Sequence, residues 1–208
     1  MNLSRSKNRY ISKFLCNMIV VLAVGSLLAA CTYTADSDKE EGSKHINFLY
    51  NFSTNSLDPH VDSSYVPLRA GITETLVKLD EENLTIAPWL AKDWSGEDGI
   101  HWTINLRKGI TFHNGKEMDA DAVKASLERA LQESVAIQNA LIIDTIEADG
   151  YTLHITTMQP FPEFVSELVN PNVSIIDVTQ DDIVNHPVGT GPFTLKSFEP
   201  GSKLELER

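Results

Sequence analysis

The chain has 208 residues, 42% of them hydrophobic, and a formal charge of −12. That apolar content is enough for a packed core and excludes wholesale disorder. The charge is uneven: residues 1–30 hold Arg5, Lys7, Arg9 and Lys13 and no acid, which leaves 13 basic against 29 acidic residues, about −16, over residues 31–208. A surface that acidic repels phosphate backbones and argues against nucleic-acid binding.

The basic start runs into an apolar stretch from Phe14 to Leu28, which ends in Leu28-Ala29-Ala30-Cys31. It is short for a membrane span of about 20 residues. A positive region, an apolar region and small residues in that order make a secretory signal. Leu-Ala-Ala-Cys resembles the bacterial lipoprotein signal, in which Cys31 takes the lipid and becomes the mature N-terminus. An uncleaved anchor helix is the alternative. Thr32 to Ser43 is polar and aperiodic and reads as a tether. The expected divisions are a signal over 1–30, a lipidated tether over 31–44 and a domain over 45–208. The expected location is the extracytoplasmic face of the cell membrane, held there by lipid. Only one cysteine stands in residues 31–208, so no disulfide or cysteine metal cage can form within them.

His45 to Tyr50 alternates like a strand, and Asn51 to Pro59 reads as a loop. Leu68, Ile72 and Leu76, spaced by four, predict a helix within Pro67 to Leu79, and Pro88 predicts the start of another. Ile100, Trp102, Ile104 and Leu106 share one face of a half-buried strand, opposite His101, Thr103 and Asn105. Asp119 offers an N-cap to a helix reaching about Gln132, with Val123, Leu127, Ala130 and Leu131 on its apolar face. Asp149-Gly150 joins two alternating segments as a hairpin. A short helix is predicted after Pro162, a strand over Val173 to Ile176, and paired strands over Phe193 to Phe198 and Lys203 to Glu207. The mixture of strands and helices makes the fold class α/β or α+β.

No Gly-x-Ser-x-Gly and no cysteine–histidine pair is present, so no nucleophile motif supports an enzyme. Gly189-Thr190-Gly191 lacks the Gly-Lys-Ser/Thr of a phosphate loop and reads as a turn before Pro192. The six histidines form no compact ligand motif. His101 and His154 fall on polar strand faces, where solvent contact is the plain expectation. His60, in Leu57-Asp58-Pro59-His60, is the one placed as a metal ligand could be.

Several segments then align with one family. They are Pro88-Trp89-Leu90-Ala91-Lys92-Asp93-Trp94, Asp98 through Gly115, Asp119-Ala120-Asp121-Ala122-Val123 and Gly189-Thr190-Gly191-Pro192-Phe193. In this order and spacing the chain resembles the extracytoplasmic solute-binding proteins of peptide/nickel ABC transporters, from about Ile46 to its last residue. The resemblance implies a class II periplasmic-binding-protein-like fold whose two lobes close on a ligand, and no catalytic residues or cofactor. It implies delivery of the ligand to a membrane permease with separate ATPase subunits. Trp102, Leu106, Phe112 and Val123 should then be scaffold. Candidate ligand contacts are Asn55, His60, Tyr65, Arg69, Asn170 and Asn172.

The alignment is nearest the nickel branch, so nickel or a nickel chelate is the leading ligand and an oligopeptide the alternative. Nickel binders of that branch use arginines near the Asn170-Pro171-Asn172 stretch to hold a carboxylate-rich chelator; here asparagines stand. Family members are usually more than twice as long. The resemblance therefore implies an incomplete fold: part of the first lobe with the inserted small subdomain, about 83–185, and no second lobe. A truncated surface lipoprotein that binds a protein partner and transports nothing is the rival of another class.

Overall fold

Strand alternation in the sequence materialises as a four-stranded antiparallel sheet in the computed structural model, which describes Ile46, Asn47, Leu49 and residues 53–208. The signal, Cys31, the tether and half of the predicted strand over His45 to Tyr50 lie outside the described residues. The elements in chain order are α1 (Val66–Arg69), β1 (Val77–Asp80), β2 (Thr85–Pro88), β3 (Ala91–Ser95) and β4 (His101–Leu106). They continue with α2 (Ala120–Glu133), α3 (Val135–Leu141), β5 (Ile143–Asp149), β6 (Thr152–Thr157) and α4 (Phe164–Glu167). A 3-10 turn (Pro171–Val173), β7 (Thr194–Glu199) and β8 (Lys203–Glu207) follow.

The sheet order is β3-β4-β6-β5, and β1-β2 and β7-β8 form separate two-stranded hairpins. On β4, Trp102, Ile104 and Leu106 are buried while His101 is exposed, as period-two alternation requires. Asp149-Gly150 turns β5 into β6, with Gly150 at φ 58°. Asp119 caps α2: its side chain accepts from the backbone N–H of Ala122 at 2.9 Å. Val123, Leu127 and Ala130 of α2 then join Ile104, Ile146, Leu153 and Ile155 of the sheet in one core, together with Trp102, Leu106 and Phe112. The four residues expected to be scaffold are therefore all core. A smaller cluster of Leu57, Val66 and Leu195, flanked by Phe198, Leu204 and Leu206, sits under the β7-β8 hairpin.

Three expected elements differ. The helix over Pro67 to Leu79 shrinks to α1, because Gly71 at φ 72° breaks it and the N–H groups of Ile72 and Thr73 both turn back to the carbonyl of Pro67. Ile72 and Leu76 are buried, but on an extended segment whose Glu74 bridges Ile175. The helix from Pro88 does not form. Pro88 ends β2, and the N–H groups of Trp89 and Ala91 both donate to Leu76 O, which commits the segment to strand geometry. The strand over Val173 to Ile176 is a 3-10 turn followed by that single bridge.

Gly189-Thr190-Gly191 is a backbone-to-backbone seam. The N–H of Gly191 donates to Ile72 O at 3.0 Å, and that of Phe193 to Gly71 O at 3.1 Å. A Cβ on Gly189 would stand 2.2 Å from Ile72 O, and one on Gly191 2.2 Å from Gly71 O, so neither position admits a side chain. From the other side His113 donates its backbone N–H to Gly189 O at 2.9 Å, and its Nε2 meets Gly191 O at 2.8 Å. The glycines serve close packing of main chains, which is a structural reason for the motif and leaves no cradle for phosphate. Among the described residues no helix is long and apolar enough to cross a membrane.

Candidate functional site

The loop 54–65 carries most of the candidate residues, and its shape is set by its own side chains. Ser56 Oγ accepts from the N–H of Asp58, and Asp58 Oδ1 accepts from the N–H of His60 at 3.0 Å, an Asx turn that Pro59 suits. Thr54 Oγ1 donates to Asp62 Oδ1 at 2.9 Å across the loop. Asp62 also accepts from the Ser64 hydroxyl.

The loop is anchored to α2 by Arg129. Its guanidinium meets Asp58 in a two-pronged pair, Nη1 to Oδ1 at 2.9 Å and Nη2 to Oδ2 at 2.6 Å. The Asp58 side chain is 3% exposed. Nη1 also donates to His60 Nδ1 at 2.8 Å, while His60 Nε2 stands 3.0 Å from the carbonyl of Ser174. A guanidinium only donates and a carbonyl only accepts, so His60 is neutral with its proton on Nε2. Burial is the largest influence on its basicity. With the nearby Arg129 charge it pulls the imidazole down to about 4, against opposing effects from Ser174 and Asp58. For Asp58, burial acts to raise the carboxyl, but the Arg129 hydrogen bond and charge and the His60 N–H outweigh it and hold the group below the usual range.

These contacts correct the reading of His60 as a possible metal ligand. Both ring nitrogens are in use, and the lone pair a metal would need is met by a cation. Among the described residues no group of three or more His, Cys, Asp or Glu is placed to hold a metal ion.

Asn172 and Asn170 also serve the loop. Asn172 Nδ2 donates to Pro59 O at 2.5 Å and to Asp62 O at 3.1 Å, clamping the loop from below. Asn170 Oδ1 accepts from the N–H of Asn172 at 3.0 Å and so caps the 3-10 turn. His60, Asn170 and Asn172 are thus joined in one polar network. Tyr65 and Arg69 form a separate pair, with the guanidinium 5.7 Å from the ring centroid. Tyr65 is half-buried and adopts φ 58°, ψ 23°, a left-handed conformation that costs a non-glycine residue about 1–2 kcal/mol and is held here at the start of α1. Arg69 is exposed. Asn55 is exposed and stands apart, near the β7-β8 turn, where the N–H of Gly201 donates to Thr54 O.

The residues that matter most to this geometry, Asp58 and Arg129, were not among the candidates. One signal was available for each. Asp58 begins an Asp-Pro-His turn, and Arg129 falls beside Ser126 and Ala130 on the buried flank of a helix, where an arginine needs a partner.

The chain thus presents a mixed α/β scaffold with a polar loop anchored to α2 through Asp58, His60 and Arg129. Residues 85–208 match the family described as bacterial extracellular solute-binding proteins, family 5 Middle, and the chain belongs to that family. Members of the family bind solutes and are not enzymes. The chain is 34% identical over 164 residues to the nickel-binding protein NikA of Staphylococcus aureus, covering 78% of this chain and 33% of that protein. It is 33% identical over 204 residues to the glutathione-binding protein GsiB of Shigella flexneri, covering 91% of this chain and 38% of that one. Among solved structures, a nickel ABC transporter protein from Bacillus halodurans superposes with a TM-score of 0.78 at 78% identity, over 79% of this chain and 35% of that one. Staphylococcus aureus NikA in complex with Ni(L-His)2 gives 0.71 at 34% identity, over 76% and 33%. Helicobacter pylori DppA in complex with the peptide STSA gives 0.65 at 28%, over 76% and 37%. The chain spans about a third of the length of the relatives it matches.

Proposed function

We propose that this chain belongs to the solute-binding component of an ABC importer and captures nickel, as a chelate, outside the membrane for delivery to the permease. The observation that carries the ligand is the 78% identity to the Bacillus halodurans nickel transporter protein across 79% of this chain. The likeness to a structure holding Ni(L-His)2 points the same way. A chelate also suits the site: with no three-ligand protein group among the described residues, a ligand that brings its own donors asks only for polar and aromatic contacts. Asn55, Tyr65 and Arg69, none of them buried, would offer such a ligand an amide, an aromatic ring and a positive charge. His60, Asn170 and Asn172 act one step behind, by fixing the loop's shape. Closure of two lobes over such a face would bury the ligand and create the form the permease recognises.

The reading includes lipid attachment at Cys31, a tether to residue 44 and an inserted subdomain over about 83–185. The four-stranded sheet, α2 and α3 all fall within that last range, while the small cluster around Leu57, Val66 and Leu195 falls outside it. An oligopeptide is the second reading. It is favoured by the similarity to DppA and GsiB and by asparagines in place of arginines at Asn170 and Asn172. Calorimetric titration with nickel–histidine and with mixed short peptides separates the two. The nickel–histidine chelate is expected to bind more tightly; tighter binding of the peptides would replace the first reading by the second.

A further inference from the structure

The β3-β4-β6-β5 sheet buries one face against α2, through Val123, Leu127, Ile146, Leu153 and Ile155, and turns the other to solvent. On that outer face the register pairs His101 with Thr156 and Thr103 with His154. His101 and His154 are therefore diagonal neighbours on adjacent strands, although 53 residues separate them in sequence. The N–H of Thr157 donates to Ile100 O at 3.0 Å, which makes His101–Thr156 a pair of the closer, non-hydrogen-bonded kind. Diagonal neighbours on such a face stand about 7–8 Å apart, within the span two imidazoles need to share one ion. Glu147 of β5 lies directly across from His154 on its other side.

The imidazoles are also oriented. His101 Nδ1 is 2.6 Å from Asp98 Oδ2, and the His101 side chain is 70% exposed. Asp98 is itself fixed, its Oδ1 accepting from the N–H groups of Ile100 and His101, both at 2.8 Å. A carboxylate on one ring nitrogen is the arrangement that sets tautomer and direction in metal-binding histidines. His154 Nδ1 faces Thr103 Oγ1 at 3.4 Å. Among the described residues, no hydrogen bond occupies Nε2 of either ring.

We infer that His101 and His154 form a surface site for a divalent transition-metal ion of the nickel, zinc or copper kind, with Asp98 positioning the first imidazole and Glu147 supplying nearby negative charge. Imidazole donors favour these ions over magnesium or calcium. Two protein donors leave the rest of the coordination shell to water or to a small free ligand. The site lies on the sheet face opposite α2, away from the Arg129 network, and does not depend on the ligand proposed above.

The probe is nickel chloride, titrated into the purified chain and followed by calorimetry and by broadening of backbone amide NMR signals. One saturable equivalent is expected, with broadening centred on His101 to Thr103 and Leu153 to Thr156. His101→Asn and His154→Asn should each weaken binding about tenfold, about 1.4 kcal/mol. Asp98→Asn should weaken it less, and magnesium should not compete. Both histidines are exposed, so thermal unfolding of the variants should match the parent chain, and nickel–histidine binding should survive in the double variant. Nickel binding unchanged in the double variant, broadening centred elsewhere, or no saturable binding up to millimolar nickel would overturn the assignment.

Discussion

Arg129→Ala is expected to destabilise the chain by about 3–5 kcal/mol, the range for removing one partner from a buried ion pair. The cost arises chiefly from what stays behind. Asp58 would keep a charge at 3% side-chain exposure with neither guanidinium prong to meet it, and His60 Nδ1 would lose the Arg129 donor. Urea denaturation checks the figure. A conservative Arg129→Lys change should recover part of the loss, since an ammonium restores charge but cannot span both carboxylate oxygens. The double change Asp58→Ala with Arg129→Ala should cost less than the sum of the two single changes, because removing both charges leaves no orphan. Additive costs would show that the pair is not coupled as its geometry requires.

The second large effect is on pH. His60 has an ordinary value near 6.5 in the unfolded chain and about 4 in the fold. Between those values the unfolded chain binds the extra proton, so this group's contribution is fully present above pH 6.5 and is lost as pH falls toward 4. The loss amounts to about 3 kcal/mol at about 1.4 kcal/mol per pH unit. Asp58, held low in the fold, adds a further loss at more acidic pH, below the ordinary carboxylate range. His60→Gln keeps a donor toward Ser174 O and removes the titration. Its stability should therefore be nearly flat over pH 6.5–4, after allowance for slopes shared with the parent chain. Equal slopes in the two proteins would mean that His60 is not the buried neutral imidazole described above.

Local signals in the sequence were reliable where the chemistry is local. The alternation over residues 100–106, the Asp119 cap and the Asp149-Gly150 hairpin all name interactions completed within a few residues. The segments around Leu76 and Trp89 misled because two N–H groups from 89–91 converge on the carbonyl of Leu76, a pairing that no spacing rule displays. The spacing of four among Leu68, Ile72 and Leu76 is no helical face: Leu68 lies on the short helix, and Ile72 and Leu76 are buried on the extended segment after it.

The site was legible only in part for the same reason. His60 drew notice as a polar residue in an odd loop, but its role depends on Arg129, 69 residues further along. Asn172, a candidate ligand contact, clamps Pro59 and Asp62, residues far from it in sequence. Scattered histidines on strand faces looked ordinary until register set His101 and His154 beside each other. Pairing across strands decides such questions, and pairing is a property of the folded sheet.

The proposed transport of a nickel chelate can be measured as uptake in the cell. A strain lacking this gene should take up radioactive nickel much more slowly than its parent when nickel is scarce and histidine is supplied, while uptake of a labelled short peptide stays unchanged. Unchanged nickel uptake together with lost peptide uptake would mean that the protein carries peptides and not nickel.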